Sequence, residues 1–379
     1  MYKLKELKLK NIFSFWNHFQ NSETFLFYNP IENQIIIGAE KLKSFEPDED
    51  FSGYKYIFST KPFFEKVKEG FWRGYGAENI AFCYYLSVKE GKQTLYYKNK
   101  EPKIEDIKPL NEHYSYVIEN ENYEKWIELF NQCHKKILSK ELKKVVISRV
   151  ATAKLSKKAN QECILKRLID DNLNNFVFAY KKKDKCFLGA TPEILLRKDG
   201  HRIESHALAG TYIKDNHGSE KGYKTLLDDQ KNFQEHQLVI SSIENIFKAF
   251  GENTHVSPTK IMETRNLYHL ESKIYTESNE SIFRWRDRLH PTPALGGSPK
   301  EVALRLIQDN EFHERGLYAS PIGLINDDGN GLFVVGIRSA ILSGHHLHCF
   351  AGCGIVESSD CEEEYIETKG KLRTILECL

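Results

Sequence analysis

The sequence predicts a chain of mixed strands and helices in which sheet predominates. Three observations point there. Aromatic residues make up 12% of the chain, with 19 Tyr and 23 Phe, which suits broad sheets and a well-filled core. Short alternating runs bounded by turn residues recur up to about residue 110. Further on, longer segments carry apolar residues at helical spacing.

The remaining composition narrows the function classes. At 379 residues the chain can build a large core and more than one lobe. Charged residues are 28% and the net charge is +1, so neither a basic nucleic-acid footprint nor an acidic tail is present. No apolar run approaches a membrane span. The start, MYKLKELKLK, alternates Lys with Leu and lacks the continuous apolar core of a signal peptide. Eight cysteines without a CxxC pair read as reduced core thiols. A cytoplasmic protein with no nucleic-acid or membrane partner is expected.

Taken in order, residues 1–110 read as a scaffold lobe. A hairpin is expected over ETFLFYNPIENQIIIGA, turning at Asn29-Pro30 and Glu32-Asn33. Tyr54, Tyr56 and Phe58 alternate, as does AFCYYLSV before Gly91. Residues 111–379 carry the chemistry. Glu121 to Leu138 is an amphipathic helix, with Trp126, Leu129 and Phe130 buried. KKVVISRV, Lys143 to Val150, is a strand that puts Lys144, Val146 and Ser148 on one face. A helix over QECILKRLIDDNL and strands turning at Lys183-Asp184 and Asp199-Gly200 follow. Tyr223 to Phe250 is a long helix, with Phe233, Ile240, Ile243, Phe247 and Phe250 on its buried face and Glu235-His236 off it. Ser298, Pro299 and Glu301 fit N-cap, N1 and N3 of another helix. GLFVVGIRSAILSG reads as a strand with Arg338 inside it. Ser359 and Glu362 have capping-box spacing for a last helix.

Several residues admit both a chemical and a plain structural role. Lys144 is either an exposed strand flank or a desolvated general base. Glu193, among Ile194, Leu195 and Leu196, is either a solvent-facing strand end or a carboxyl with a raised pKa. Gly210 makes a turn or lets backbone approach a ligand. Glu235 is a surface Glu or a metal carboxylate, and His269 could be a satisfied core histidine. Arg338 lies on an open edge, or is buried and paired with a ligand carboxylate. Glu364 and Glu367 share a helix face, Lys371 continues it, and the glycine turn at Gly352 and Gly354 lies nearby. Such a face is either an exposed acidic helix or a seat for a hard cation and its anionic ligand. His345, His346, His348, Cys349 and Cys353 fit no zinc spacing.

Together the blocks KVVISR, GATPE, ALAGT, EH, HPTPALGG, ERGLYASPIG, IRSA and AGCGIV…EYIETKGK resemble the chorismate-utilising enzymes, and within them the isochorismate synthases. The resemblance runs from about Leu142 to the C-terminus. It implies a single large α+β unit with layered, mainly antiparallel sheets, outer helices and a deep cleft. It implies water addition at C2 of chorismate with loss of the C4 hydroxyl. Lys144 is then the base that activates water, and Glu193 the acid on the leaving hydroxyl. Glu235 and Glu367 would hold Mg²⁺, with Glu364 near the metal. Arg338, Tyr318, Lys371, Thr211 and the backbone of Gly210 and Gly352 would surround the substrate, with His269 beside it. Two positions depart from the pattern: Asn232 stands where some relatives carry an acid, and Ser320 where many carry Gly.

A monomer without an obligatory amidotransferase partner is expected. Menaquinone synthesis is the first expectation for the pathway, with a catechol siderophore or salicylate as alternatives. The alternatives in function are a salicylate synthase, the synthase subunit of an anthranilate or aminodeoxychorismate enzyme, and a non-catalytic chorismate-binding protein.

Overall fold

A computed structural model describes residues 1–65, 70–213, 226, 228–263 and 267–379. Among these residues twenty strands pair, always antiparallel, into one continuous sheet that folds back on itself as two leaves. The first leaf runs Lys3–Leu7, Lys92–Tyr97, Glu78–Lys89, Gln34–Ser44, Thr24–Asn29, Phe176–Lys182, Lys185–Thr191, Ser339–Ser343, His346–Ile355 and Lys144–Leu155. The second leaves the start of Glu78–Lys89 and runs Tyr56–Thr60, Pro321–Asn326, Gly331–Val335, Ile194–Asp199, Arg202–Ile213 and Leu267–Glu277. Strands from residues 1–110 thus pair directly with strands of the later chain.

The period of two in the sequence sorts the core. Phe25, Phe27, Phe176, Phe178, Tyr180 and Phe187 point between the leaves, where they meet Ile322, Phe333 and Val335. Phe25 stacks on Phe58 at 4.5 Å. Each such ring stabilises the fold by about 1.5–3 kcal/mol through burial, and Phe25→Ala should cost about 3–5 kcal/mol. The intervening residues Leu26, Val177, Ala179 and Leu188 point outward against helices Phe13–His18, Gln161–Asp171 and Cys361–Leu376. Helix Tyr123–Leu138 packs through Trp126, Leu129, Phe130 and Ile137 on the strand residues Val145, Ile147 and Ile355.

Four local expectations need correction. The long helix is described from Gln230 to Phe250, and residues 223–225 and 227 lie outside the described residues. Its buried stripe is Val239, Ile240, Ile243 and Phe247. Phe233 instead lines a surface groove with Leu142 and Val356, and Phe250 takes the Arg288 guanidinium on its ring at 4.0 Å. His236 is fully buried and bonds Ser272 Oγ at 3.0 Å. Helix Lys300–Asn310 has Pro299 as N-cap without a side-chain bond, because Ser298 is drawn into a short strand opposite Lys144. The last helix is capped by Asp360, whose carboxylate accepts from the amides of Glu362 and Glu363 at 2.9 and 3.1 Å. Among the described residues no helix is long and apolar enough to cross a membrane.

Candidate active site

Two neighbouring crossings between the leaves build the site. The chain passes from the first leaf to the second at Pro192-Glu193, between strands Lys185–Thr191 and Ile194–Asp199. It returns at Gly336–Arg338, between Gly331–Val335 and Ser339–Ser343. The expected single strand through Arg338 is therefore broken, and Arg338 has φ 50°. The crossings are tied together: Val335 N donates to Glu193 O at 3.0 Å, and Ala190 N donates to Arg338 O at 3.1 Å. A change of sheet frees both side chains from the core pattern and turns them into a cavity of about 320 Å³.

The expected residues converge there. Glu193, Gly210, Thr211, Glu235, His269 and Tyr318 line the cavity, as do Arg338, Gly352, Glu364, Glu367 and Lys371. Lys144 reaches the site through its ammonium, which donates to Glu235 Oε1 at 2.6 Å. Far from being an exposed flank, Lys144 is fully buried. Gly354 makes this pair possible. A Cβ there would lie 2.8 Å from both Glu235 Oε1 and Lys144 Cε.

Burial dominates the electrostatics of the acid candidate. Glu193 is 5% exposed. Burial pushes its carboxyl up from 4.5 to about 7, against the opposing pull of Lys144, Arg338 and Lys371. Such a carboxyl can hold a proton near neutrality.

The opposite wall is cationic. Arg338 is buried, and burial lowers its guanidinium to about 10, leaving it charged at neutral pH. Its Nη2 lies 3.4 Å from His269 Nε2. An arginine can only donate, so Nε2 accepts and Nδ1 carries the imidazole proton. Burial, then Arg338 and Lys371, hold His269 well below its ordinary pKa, consistent with a neutral ring. Nδ1 faces Thr211 Oγ1 at 3.1 Å, so the threonine accepts there and its own proton can serve a ligand. A bulge at Gly210, φ +80°, sets this geometry. Asn232 Oδ1 accepts from Thr211 N at 3.0 Å, so the departure at 232 fastens the bulge.

The C-terminal helix completes the wall. Lys371 donates to Glu367 Oε1 at 2.6 Å and to Gly352 O at 2.8 Å. Burial pulls the Lys371 ammonium down, but Glu367 outweighs it and the net shift is upward. Ser359, expected as a cap, donates instead to Glu364 Oε1 at 2.7 Å. Tyr318 is buried and stacks on Phe350 at 5.4 Å. Ser320 Oγ donates to Gly316 O at 3.0 Å and so ties the loop that carries Tyr318.

Glu235, Glu364 and Glu367 form an all-oxygen donor set on one cavity, which fits a hard divalent cation. Among the described residues no three acidic, His or Cys groups close into a ready-made metal cage. Mg²⁺ does not need one, since it is usually held by one or two carboxylates plus water and ligand oxygens. Residues 345–353 likewise supply no zinc cluster.

Asp229, Glu363 and Arg315 also line the cavity without having been singled out in the sequence. Arg315 is fully buried and pairs with Glu311 at 2.6 Å. It also donates to Leu295 O and Val146 O, pinning the HPTPALGG loop to the strand of Lys144. Glu311 to Arg315 lies beyond the end of helix Lys300–Asn310, so helical spacing gave no signal for this pair.

A family model described as chorismate binding enzyme matches residues 77–379. Isochorismate synthase MenF of Bacillus subtilis (strain 168) is 38% identical over 260 residues, 67% of this chain and 55% of that protein. The salicylate biosynthesis isochorismate synthase of Pseudomonas aeruginosa is 38% identical over 208 residues, 54% of this chain and 44% of that protein. The matched stretch spans about half the length of these curated relatives. In fold, the chain resembles the menaquinone-specific isochorismate synthase MenF from Escherichia coli, with TM-score 0.85 and 23% identity over 99% of this chain and 95% of that one. These matches, over a site assembled from the expected blocks, place the chain in the chorismate binding enzyme family.

Proposed function

We propose that this protein is a Mg²⁺-dependent isochorismate synthase that works without an amidotransferase partner. One observation carries the reading: a buried carboxyl near neutrality, Glu193, shares a cavity with Arg338, Lys371 and Glu235, and Glu235 in turn holds the buried ammonium of Lys144 at 2.6 Å. Chorismate is a dianion, and Arg338 and Lys371 supply cations for its carboxylates. The Thr211 hydroxyl and the Gly210 backbone offer hydrogen bonds around the ring.

Lys144 Nζ takes a proton from water as the water oxygen bonds to C2. The ring double bond shifts, the C4–O bond breaks, and Glu193 donates its proton to the departing hydroxyl. The Lys144–Glu235 pair must open before Nζ can accept a proton. Glu235, Glu364 and Glu367 are the residues that would hold Mg²⁺, which when bound supplies positive charge for the substrate's anionic groups.

The test is to incubate the protein with chorismate and Mg²⁺, without ammonia, and to identify products by NMR and mass. Isochorismate without pyruvate is expected. Pyruvate with salicylate would replace this reading with a salicylate synthase, and no conversion would leave only chorismate binding.

A further inference from the structure

We propose that Glu311 is a positioning residue for Lys144, acting through the buried Glu311–Arg315 pair. The proposal rests on the reading of Lys144 as the base.

The strand of Lys144 has a gap along one edge. On its other edge, strand His346–Ile355 pairs with it from Val145 to Lys154. On the gapped edge, Gly297–Ser298 covers only Lys144 and Val145, and Tyr116–Asn120 covers only Thr152 to Leu155. Among the described residues no strand pairs with the stretch between. Buried backbone groups there still need partners. Val146 N donates to Gly296 O at 2.8 Å. Beyond that point side chains stand in for the missing strand. Glu311 Oε1 accepts from Ser148 N and from Ser148 Oγ, each at 2.8 Å. Arg315 Nη2 donates to Val146 O at 2.7 Å and to Glu311 Oε1 at 2.6 Å, while its Nε donates to Glu311 Oε2 at 2.9 Å. Val146 and Ser148 follow Lys144 in one strand, so a shift of this edge moves the lysine with it.

The pair is closed off from water, with side chains 0% exposed for Arg315 and 2% for Glu311. Removing one partner therefore leaves a buried charge behind. Arg315 Nη1 also holds Leu295 O at 2.7 Å, and the guanidinium lies over the Phe63 ring at 4.3 Å. The pair thus grips the strand of Lys144 and the HPTPALGG loop together. Arg315 lines the cavity, but Glu311, Val146 and Leu295 take its Nε proton, both Nη2 protons and one Nη1 proton. At most one Nη1 proton is left for a ligand, so its part is to hold the scaffold. Lys144 Nζ, by contrast, has one hydrogen-bond partner among the described residues, Glu235. An ammonium on a flexible four-carbon stem is aimed by the backbone beneath it.

Turnover and lysine Nζ-¹⁵N NMR of the full chain test the proposal. Glu311→Gln keeps the shape and removes the charge that grips Arg315 and Ser148. It should lower kcat at saturating chorismate and Mg²⁺ by about 10²-fold, with KM unchanged because Arg338 and Lys371 are untouched. A role in folding alone would lower the folded fraction and leave kcat per folded chain at the parent's value. The Lys144 ammonium is buried and bonded, so its protons exchange slowly and give a resonance that Lys144→Arg assigns. Read without chorismate or Mg²⁺, this resonance should shift or broaden in Glu311→Gln. Ser148→Ala removes one bond to Glu311 and keeps the ion pair. It should show both effects more weakly, and it carries the test if Glu311→Gln does not fold. Ser148→Thr keeps a hydroxyl and should restore both. A Lys144 resonance that neither Glu311→Gln nor Ser148→Ala moves would overturn the proposal, as would a loss borne by KM with kcat unchanged. If the parent does not convert chorismate, the proposed reaction fails, and the resonance alone decides whether Glu311 positions Lys144.

Discussion

Glu193→Gln should separate stability from activity. In the folded chain the Glu193 carboxyl titrates near 7, against 4.5 ordinarily, because burial penalises its charge. Between these values the folded state holds a proton that the unfolded chain has lost. Stability from this group is therefore present at low pH and lost as pH rises through about 7. The shift is worth about 3 kcal/mol in all, of which about 2–3 kcal/mol falls between pH 5 and pH 8. Gln keeps the shape without the charge, so the variant should gain on the parent by that amount across this range. Urea unfolding of both proteins at pH 5 and pH 8 measures the change in their stability gap. Turnover should meanwhile fall by about 10²–10⁴, the usual weight of a general acid. An equal gap at both pH values would show that Glu193 is ionised throughout, and the acid assignment would fail.

Three further outcomes are expected. Arg338→Ala should weaken chorismate binding by about 2–5 kcal/mol if it forms a desolvated carboxylate pair, read by calorimetric titration; an unchanged Kd would move Arg338 to a structural role. Glu235→Gln and Glu367→Gln should each abolish turnover through loss of Mg²⁺, and full activity of both in chelator would sink the metal assignment. Gly354→Ala puts a Cβ 2.8 Å from both members of the Lys144–Glu235 pair, so it should destabilise by about 1–3 kcal/mol and cut turnover; a variant matching the parent in denaturant midpoint and turnover would contradict the packing argument.

Much of this was legible in the sequence, for physical reasons. Strand alternation placed Lys144 and Val146 together because side-chain period is fixed by the pleat. The hairpin turns at Asn29-Pro30, Lys183-Asp184 and Asp199-Gly200 fall between strands where turn chemistry put them. What local pattern could not give was the exchange between leaves. Nothing in GLFVVGIRSAILSG marks the break at Gly336–Arg338, because both halves are buried apolar strands of different leaves. The same exchange buries Glu193, whose neighbours alone left its exposure open. Burial of Lys144 depends on Gly354, which is adjacent only through the strand pairing Gly354↔Val146. The capping-box spacing pointed to Ser359, but its neighbour Asp360 took the amides while Ser359 turned to Glu364. That the two terminal nitrogens of Arg149 lack a hydrogen-bond partner among the described residues, while its Nε holds Thr368, is a fact of three-dimensional packing with no sequence signal.

The central claim is that Lys144 and Glu193 add solvent water at C2 and expel the C4 oxygen. Turnover of chorismate in ¹⁸O-water with Mg²⁺, followed by mass spectrometry and ¹³C NMR of the product, tests it most directly. The account predicts isochorismate carrying one ¹⁸O, bonded to C2, with the original C4 oxygen released to solvent. Unlabelled isochorismate, its hydroxyl oxygen carried over from C4, would contradict it.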